Sequence, residues 1–567
     1  MSTFKLKDLT SLDLASDKIE VEVEGIEKAK LILIKHGGQV HALTANCTHY
    51  GAPLVKGVLT PDARLTCPWH GACFNVTTGD VEDAPALNAL IKYEVFEKDG
   101  GVYVKADEAS FKGNGRLPIS SCRVANEEQR VVIIGGGSGT IGAIEVLREH
   151  GYAGSITMIS KEPNLPLDRT KLSKALIPDA NKLLLRPAEW YSSVSIETVS
   201  DEATSVDFSG KTVTTASGKS YPYTKLILAT GGTPRRLPLP GFKELGNIFT
   251  LRTVTDVQGI LSAVGADKGK NIVVIGSSFI GMEVGNCLAK ENKVTIVGME
   301  SAPLERIMGA QVGRIFQSNL EKSGVKFYMS ASVDKATPSP SNPSNIGTVH
   351  LKDGTALPAD LVILGVGVSP ATEFLKNNPA ISLEPDGSLK TDEFFAVTGL
   401  NNDVYAVGDI ASYPYSGPGG GQGGVSHVRI EHWDVAQNMG RAVGRTLAHA
   451  LSPSSPSKRP LRPKPFIPIF WSALGAQLRY CGNTMNGYDD VVVQGEQQPG
   501  QTAKFVAYYT LGDTVVAVAS MGSDPVNSKC AELMRRGRMP GKREIVEGGV
   551  DVLGVDLPGG VMEGGRV

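Results

Sequence analysis

A chain of 567 residues is too long for one hydrophobic core, and 41% hydrophobic with 20% charged residues excludes an intrinsically disordered polymer. A formal charge of −2 without a long Lys/Arg block excludes the electrostatic footprint of a nucleic-acid partner and leaves an acidic membrane surface unsupported. The longest apolar runs are strand-length, so no membrane span is expected. The opening twenty residues carry Asp8, Asp13 and Asp17 and no apolar stretch, which argues against a targeting leader and for the cytoplasm.

Residues 1–108 alternate short apolar and polar runs (KAKLILIKHGG, QVHALTA, YEVFEKDGGVYVKA) between Gly-rich turns, predicting a small all-β unit. Within it, NCTHYGAPL holds Cys47 and His49, and CPWHGACF holds Cys67 and His70. Seven cysteines in a chain of this size read as ligands where they stand close, not as disulfides. Two Cys and two His can hold tetrahedral zinc; C-x-H followed by C-x-x-H, with Gly and Pro turning each loop back, fits a Rieske 2Fe-2S centre better. The segment resembles Rieske ferredoxins and the Rieske domains of oxygenases. Respiratory-type Rieske proteins add a cysteine to each loop, and those places are Ala52 and Trp69 here, so the resemblance implies no cross-loop disulfide. It also puts Ala72 and Phe74 where hydroxyls donate to the cluster, implying a potential near the low end of the range, roughly −150 mV. Cys73 fits neither pattern and reads as packing.

Residues 109–128 are polar and irregular and read as a linker. From Arg130 the texture becomes strand, glycine turn and helix, and it recurs near residue 271, predicting two α/β Rossmann-like nucleotide-binding units. The first spans 129–254 and resumes at 389–455; the second spans 255–388. VVIIGGGSGTIG reads as Gly135-x-Gly137-x-x-Thr140 or as Gly137-x-Gly139-x-x-Gly142, the former agreeing better with the strand end. Thr140 then stands where a third glycine usually allows close helix packing. The acid expected after the strand ITMIS is missing, with Ser160 and Lys161 there and Glu162 just beyond.

TKLILATGGTPR, which includes Gly231, and NNDVYAVGDI, which includes Gly408 and Asp409, resemble FAD motifs of pyridine-nucleotide reductases. There the acid at the place of Asp409 binds the ribityl chain. LPLDRTKLSK resembles a segment of the ferredoxin-reductase and apoptosis-inducing-factor branch, which implies Arg169 at the flavin pyrophosphate and Lys174 at the isoalloxazine edge.

In the second unit IGSSFIGMEVG offers Gly276, Ser278 and Gly281, serine replacing the usual middle glycine. By the same resemblance Glu283 lies at the flavin and pairs with Lys174. After VTIVGMES the ribose acid is displaced from Gly298 to Glu300, and no arginine stands there to grip a 2′-phosphate, favouring NADH over NADPH. LVILGVGVSP, with Gly367, resembles the nicotinamide border. EHW and FWS match positions flanking the flavin, so Trp433 and Trp471 read either as core aromatics or as functional ones.

Residues 338–345 and 415–424 are loops by composition, and PSSPSKRPLRPKP at 453–465 is a second linker. Residues 456–567 predict a C-terminal α+β unit. The redox cysteine pair of disulfide reductases is absent, Cys287 standing alone on a predicted helix.

The whole chain resembles apoptosis-inducing-factor-like proteins that bear an N-terminal Rieske domain. This implies an NAD(P)H-dependent flavoprotein passing electrons through FAD to the cluster and on to an unknown one-electron acceptor. Lys174, Glu283 and Trp471 are its candidate catalytic residues. A slowly turning redox sensor and the reductase component of an oxygenase system are the other readings, and a homodimer is left open.

Overall fold

The structure is a computed structural model that describes residues 1–118, 126–420, 426–452, 461, 464, 466–496 and 503–557. Six antiparallel strands open the chain, ordered Ser2–Lys5, Gly101–Ala106, Lys92–Lys98, Gln39–Thr44, Lys30–His36, Lys18–Glu22. A second sheet of four short strands, Val58–Leu59, Arg64–Thr66, Cys73–Asn75 and Val81–Asp83, carries the two Cys/His loops. The run KLILIKH explains how the two meet. Successive strand side chains point to opposite faces, so Leu31 and Leu33 enter one core and Ile32 and Ile34 the other, which also holds Cys47, Cys67, Ala72 and Phe74.

The next sheet is five parallel strands in the order Ile196–Ser200, Gly154–Ser160, Asn126–Ile134, Lys225–Leu228, Val404–Ala406. Apart from Ile196–Ser200 at the edge, its apolar strands are buried on both faces, as parallel sheets require. Val404–Ala406 arrives only after a second parallel sheet has been completed by Ile248–Phe249, Leu361–Leu364, Asn271–Ile275, Lys293–Val297 and Lys326–Tyr328. The second parallel sheet is therefore an insertion between strands of the first. A five-stranded antiparallel sheet within residues 469–521, followed by the helices Val526–Arg535 and Lys542–Val546, ends the described fold.

Two boundaries differ from the sequence reading. The first parallel strand starts at Asn126, inside the expected linker, because Asn126 pairs with Gly154 before the register shifts at Arg130. Ile248–Phe249, too short to show periodicity, joins the inserted sheet ahead of residue 255. Residues 339–345 connect two antiparallel strands as a loop. Most of the expected linker at 453–465 and four residues of the loop at 415–424 lie outside the described residues.

The N-terminal unit is packed onto the terminal unit and onto the first parallel unit. Arg64, Thr66 and Asp62 meet Glu532, Arg535 and Arg536 of the terminal helix region. Asn438 and Arg441, on the helix Trp433–Leu451, bind the backbone of Ala84 and Val81 at 2.9 Å each.

Candidate redox site

Each Cys/His loop is closed by the same bond: Cys47 N–H donates to Ala52 C=O and Cys67 N–H to Ala72 C=O, both at 2.8 Å. The glycine after each histidine, Gly51 and Gly71, has φ +76°, a left-handed turn residue. The result brings like ligands together. His49 Nδ1 and His70 Nδ1 face each other at 3.1 Å, the two thiols are hydrogen-bonded, and backbone N–H groups of His49, Tyr50, Trp69 and His70 point at the sulfurs. Burial pushes His49 down to about 4 and His70 lower still, so both imidazoles are neutral, the form that binds metal. The Cys67 thiol and burial push Cys47 well above the ordinary thiol range.

Among the described residues no three His, Cys, Asp or Glu side chains converge on one point. Two pairs suit a two-iron cluster and not one tetrahedral zinc. Ala52 is buried and Trp69 half-buried, and the described cysteines, including buried Cys73, are free.

In the first parallel unit Gly135 makes the tight turn at φ +120°, where a Cβ would overlap the Ala229 carbonyl; the space beside Gly137, which caps the helix Ser138–Glu149, is open. That open backbone at a helix N-terminus fits a pyrophosphate. Thr140 does not take the third-glycine role: its hydroxyl donates to Gly135 C=O at 2.8 Å, while Gly139 and Gly142 meet the helix Trp433–Leu451. Glu162 folds back, its N–H on Ser160 Oγ and its carboxylate gripped by Arg169 at 2.6 Å; Arg169 also donates to Arg252 C=O.

Asp409, beside Gly231 and after Gly408, pairs with Arg252 at 2.9 Å. Lys174 and Glu283, far apart in sequence, form an ion pair at 2.9 Å, and the Glu283 carboxylate also accepts the hydroxyls of Ser173 and Ser472.

The second glycine turn repeats the first, with Gly276 at φ +102° and Gly281 packed on the Gly276 carbonyl, where a Cβ would overlap. Ser278 caps the helix Phe279–Leu288 and turns its hydroxyl to Gly365 C=O at 2.8 Å. Glu300 receives the Ser277 hydroxyl at 3.4 Å, which brings the displaced acid back to the turn. Gly367, at φ +90°, opens on free space, and Trp433 is half-buried at the start of its helix.

Trp471 joins these parts. Its indole lies 4.4 Å from the His70 ring, 5.5 Å from His49 and 5.2 Å from His432 (centroid distances), and Ser472 next to it binds Glu283. Burial, with Lys174 nearby, pushes His432 down to about 3. On the other side of the ligands Tyr50 stacks on His49 at 3.9 Å and donates to Asp168 Oδ2 at 2.6 Å.

Residues 129–440 match the pyridine nucleotide-disulphide oxidoreductase family, and residues 5–94 match the Rieske [2Fe-2S] domain. The chain belongs to the pyridine nucleotide-disulphide oxidoreductase family. It is similar along 91% of its length to human (Homo sapiens) apoptosis-inducing factor 3, with 36% identity over 524 residues and 82% of that protein covered. Rhodocoxin reductase of Rhodococcus erythropolis is 30% identical over 69% of this chain and 86% of its own. The solved covalent putidaredoxin reductase–putidaredoxin complex aligns with a TM-score of 0.63 and 28% identity, over 72% of this chain and 93% of that one.

As a member of this oxidoreductase family with a fused Rieske domain, the chain is an NAD(P)H-dependent flavoprotein oxidoreductase carrying FAD and a 2Fe-2S cluster. Among the described residues no helix is long and apolar enough to cross a membrane. Sequence reasoning missed Arg252, His432, Tyr50 and Asp168. Tyr50, Asp168 and His432 lie within the motifs but carry no ligand or glycine role there, and each of the four meets a partner distant in the chain.

Proposed function

We infer that this family member moves electrons from NAD(P)H by way of FAD to the Rieske cluster and from there to an external one-electron acceptor. The contact of Trp471 with both ligand imidazoles and with the pocket of His432 and Glu283 carries this reading. A nicotinamide delivers a hydride pair, a flavin accepts it and releases single electrons, and a 2Fe-2S cluster takes one at a time.

The protein's own residues supply the arrangement. Cys47, Cys67, His49 and His70 are the cluster ligands, the histidine side facing Trp471. Gly135, Gly137 and Gly139 line the flavin phosphate turn, and Asp409, neutralised by Arg252, meets the ribityl chain. Arg169 with Glu162 serves the pyrophosphate and ribose that the missing strand-end acid leaves open. Lys174, held by Glu283, fixes the isoalloxazine edge, with Trp433 flanking it. Gly276, Ser278, Gly281 and Gly367 border the nicotinamide dinucleotide, and the Glu300 carboxylate beside Ser277 favours NADH by repelling a 2′-phosphate.

Rhodocoxin reductase is a reductase by name, and putidaredoxin reductase was solved joined to putidaredoxin. Here the iron-sulfur partner is tethered, which replaces a diffusional encounter by a high effective concentration. A Cys47→Ser variant tests the reading. Its flavin should still be reduced by NADH and still pass electrons to small dyes, while reduction of a one-electron acceptor protein such as cytochrome c is lost. If every acceptor is reduced as fast as by the unmodified protein, the cluster is off the path and a redox-sensing role becomes the better account.

A further inference from the structure

Arg479 lies in the strand Gln477–Gly482 directly across from Trp471 in the antiparallel register, on the side of the sheet that meets the cluster ligands. Its side chain is 5% exposed. The guanidinium Nη1 donates to Gln477 Oε1 at 3.1 Å and to Leu478 C=O at 3.4 Å. Nε has no hydrogen-bond partner, and Asp524 Oδ1 stands 3.5 Å from it as an ion-pair partner that is itself about one-third exposed. A buried guanidinium stays charged, and a single half-solvated carboxylate at that distance compensates it incompletely. The field of this cation reaches the second ligand loop, since it acts on Cys67 and on His70, and the indole that Arg479 pairs across lies 4.4 Å from the His70 ring.

We propose that Arg479 is a fixed positive charge set against the Rieske cluster that stabilises its reduced, more negative state and so raises its potential. It supplies by charge what Ala72 and Phe74, lacking hydroxyls, do not supply by hydrogen bonding. The electron that enters the cluster adds one negative charge, and Arg479 neither gains nor loses a proton. The inference rests on Cys47, His49, Cys67 and His70 being the ligands, and the experiment separates the two.

Redox titration of the holoprotein followed by EPR gives the cluster potential in the unmodified chain, Arg479→Gln, Arg479→Lys and Asp524→Asn. A unit charge acting over about 12 Å at an effective dielectric constant of about 20 changes an equilibrium roughly tenfold. Arg479→Gln should therefore shift the reduced-to-oxidised ratio about tenfold toward oxidised, a fall of about 59 mV for one electron. Arg479→Lys should hold the potential, and Asp524→Asn, which removes the counter-charge, should raise it. A packing role for Arg479 does not produce shifts of opposite sign from the two partners. Intact Rieske signals with an unmoved potential in Arg479→Gln, or a fall in Asp524→Asn, would overturn the inference alone. No Rieske signal in the unmodified protein would overturn the ligand assignment with it.

Discussion

Ala72 and Phe74 are fully buried in one cluster with Cys47 and Cys67, and neither side chain donates a hydrogen bond. The Ala72→Ser, Phe74→Tyr double variant should raise the cluster potential, because hydroxyl donors stabilise the added charge on the sulfurs. An EPR-monitored titration checks this; an unmoved potential with the cluster intact would mean that the new hydroxyls do not reach it. Lys174 and Glu283 make a different kind of pair. Glu283→Gln and Lys174→Ala should slow flavin reduction by NADH while FAD stays bound. Asp409→Ala, which leaves Arg252 without its carboxylate, should chiefly lower flavin occupancy. Stopped-flow traces against flavin content separate the two classes, and equal small effects at all three positions would remove them from the site.

At the scale of elements, the two glycine turns share a plan and differ where the sequence differs. Gly281 lets its helix sit on the turn carbonyl, whereas Thr140 meets the equivalent carbonyl with a hydroxyl, and the close approach moves to the neighbouring helix. There Gly142 lies on the Gln437 backbone, and Gly440 and Gly444 of the helix Trp433–Leu451 lie on the backbone of Gly139 and Ala143. Gly142→Ala would place a methyl on the Gln437 carbonyl, so it should cost about 1–3 kcal/mol by overpacking and weaken FAD retention. Denaturant unfolding with and without added FAD measures both. A fully stable Gly142→Ala variant would show that the helices can separate at no cost.

Across the whole molecule, the N-terminal unit is held by buried charges. Arg64, 7% exposed at its side chain, is ion-paired with Asp83, Glu82 and Glu532, and Glu532 also takes the Thr66 hydroxyl at 3.1 Å. Removing one partner from a buried pair leaves an uncompensated charge. Glu532→Ala should therefore lower stability by about 3 kcal/mol, near the lower end for such pairs because Arg64 keeps two carboxylates. It should also slow cluster reduction while flavin reduction by NADH is unchanged. Single-turnover absorbance at flavin and cluster wavelengths checks the split, and equal slowing of both steps would place Glu532 in general folding.

The closure of the two Cys/His loops and the two glycine turns were legible from the chain itself, because each depends on local spacing. Cys-x-His and Cys-x-x-His loops close on backbone bonds only five residues apart, and a strand followed by glycine and helix is a local pattern. The Lys174–Glu283 pair was reached through resemblance and not through spacing. What only the tertiary structure decided is which distant residues meet: Trp471 against His70, Tyr50 on Asp168 and Arg252 on Asp409. Those contacts join residues from 118 to 401 positions apart, and a side chain's periodicity reports its own strand or helix, not the distant surface that will cover it.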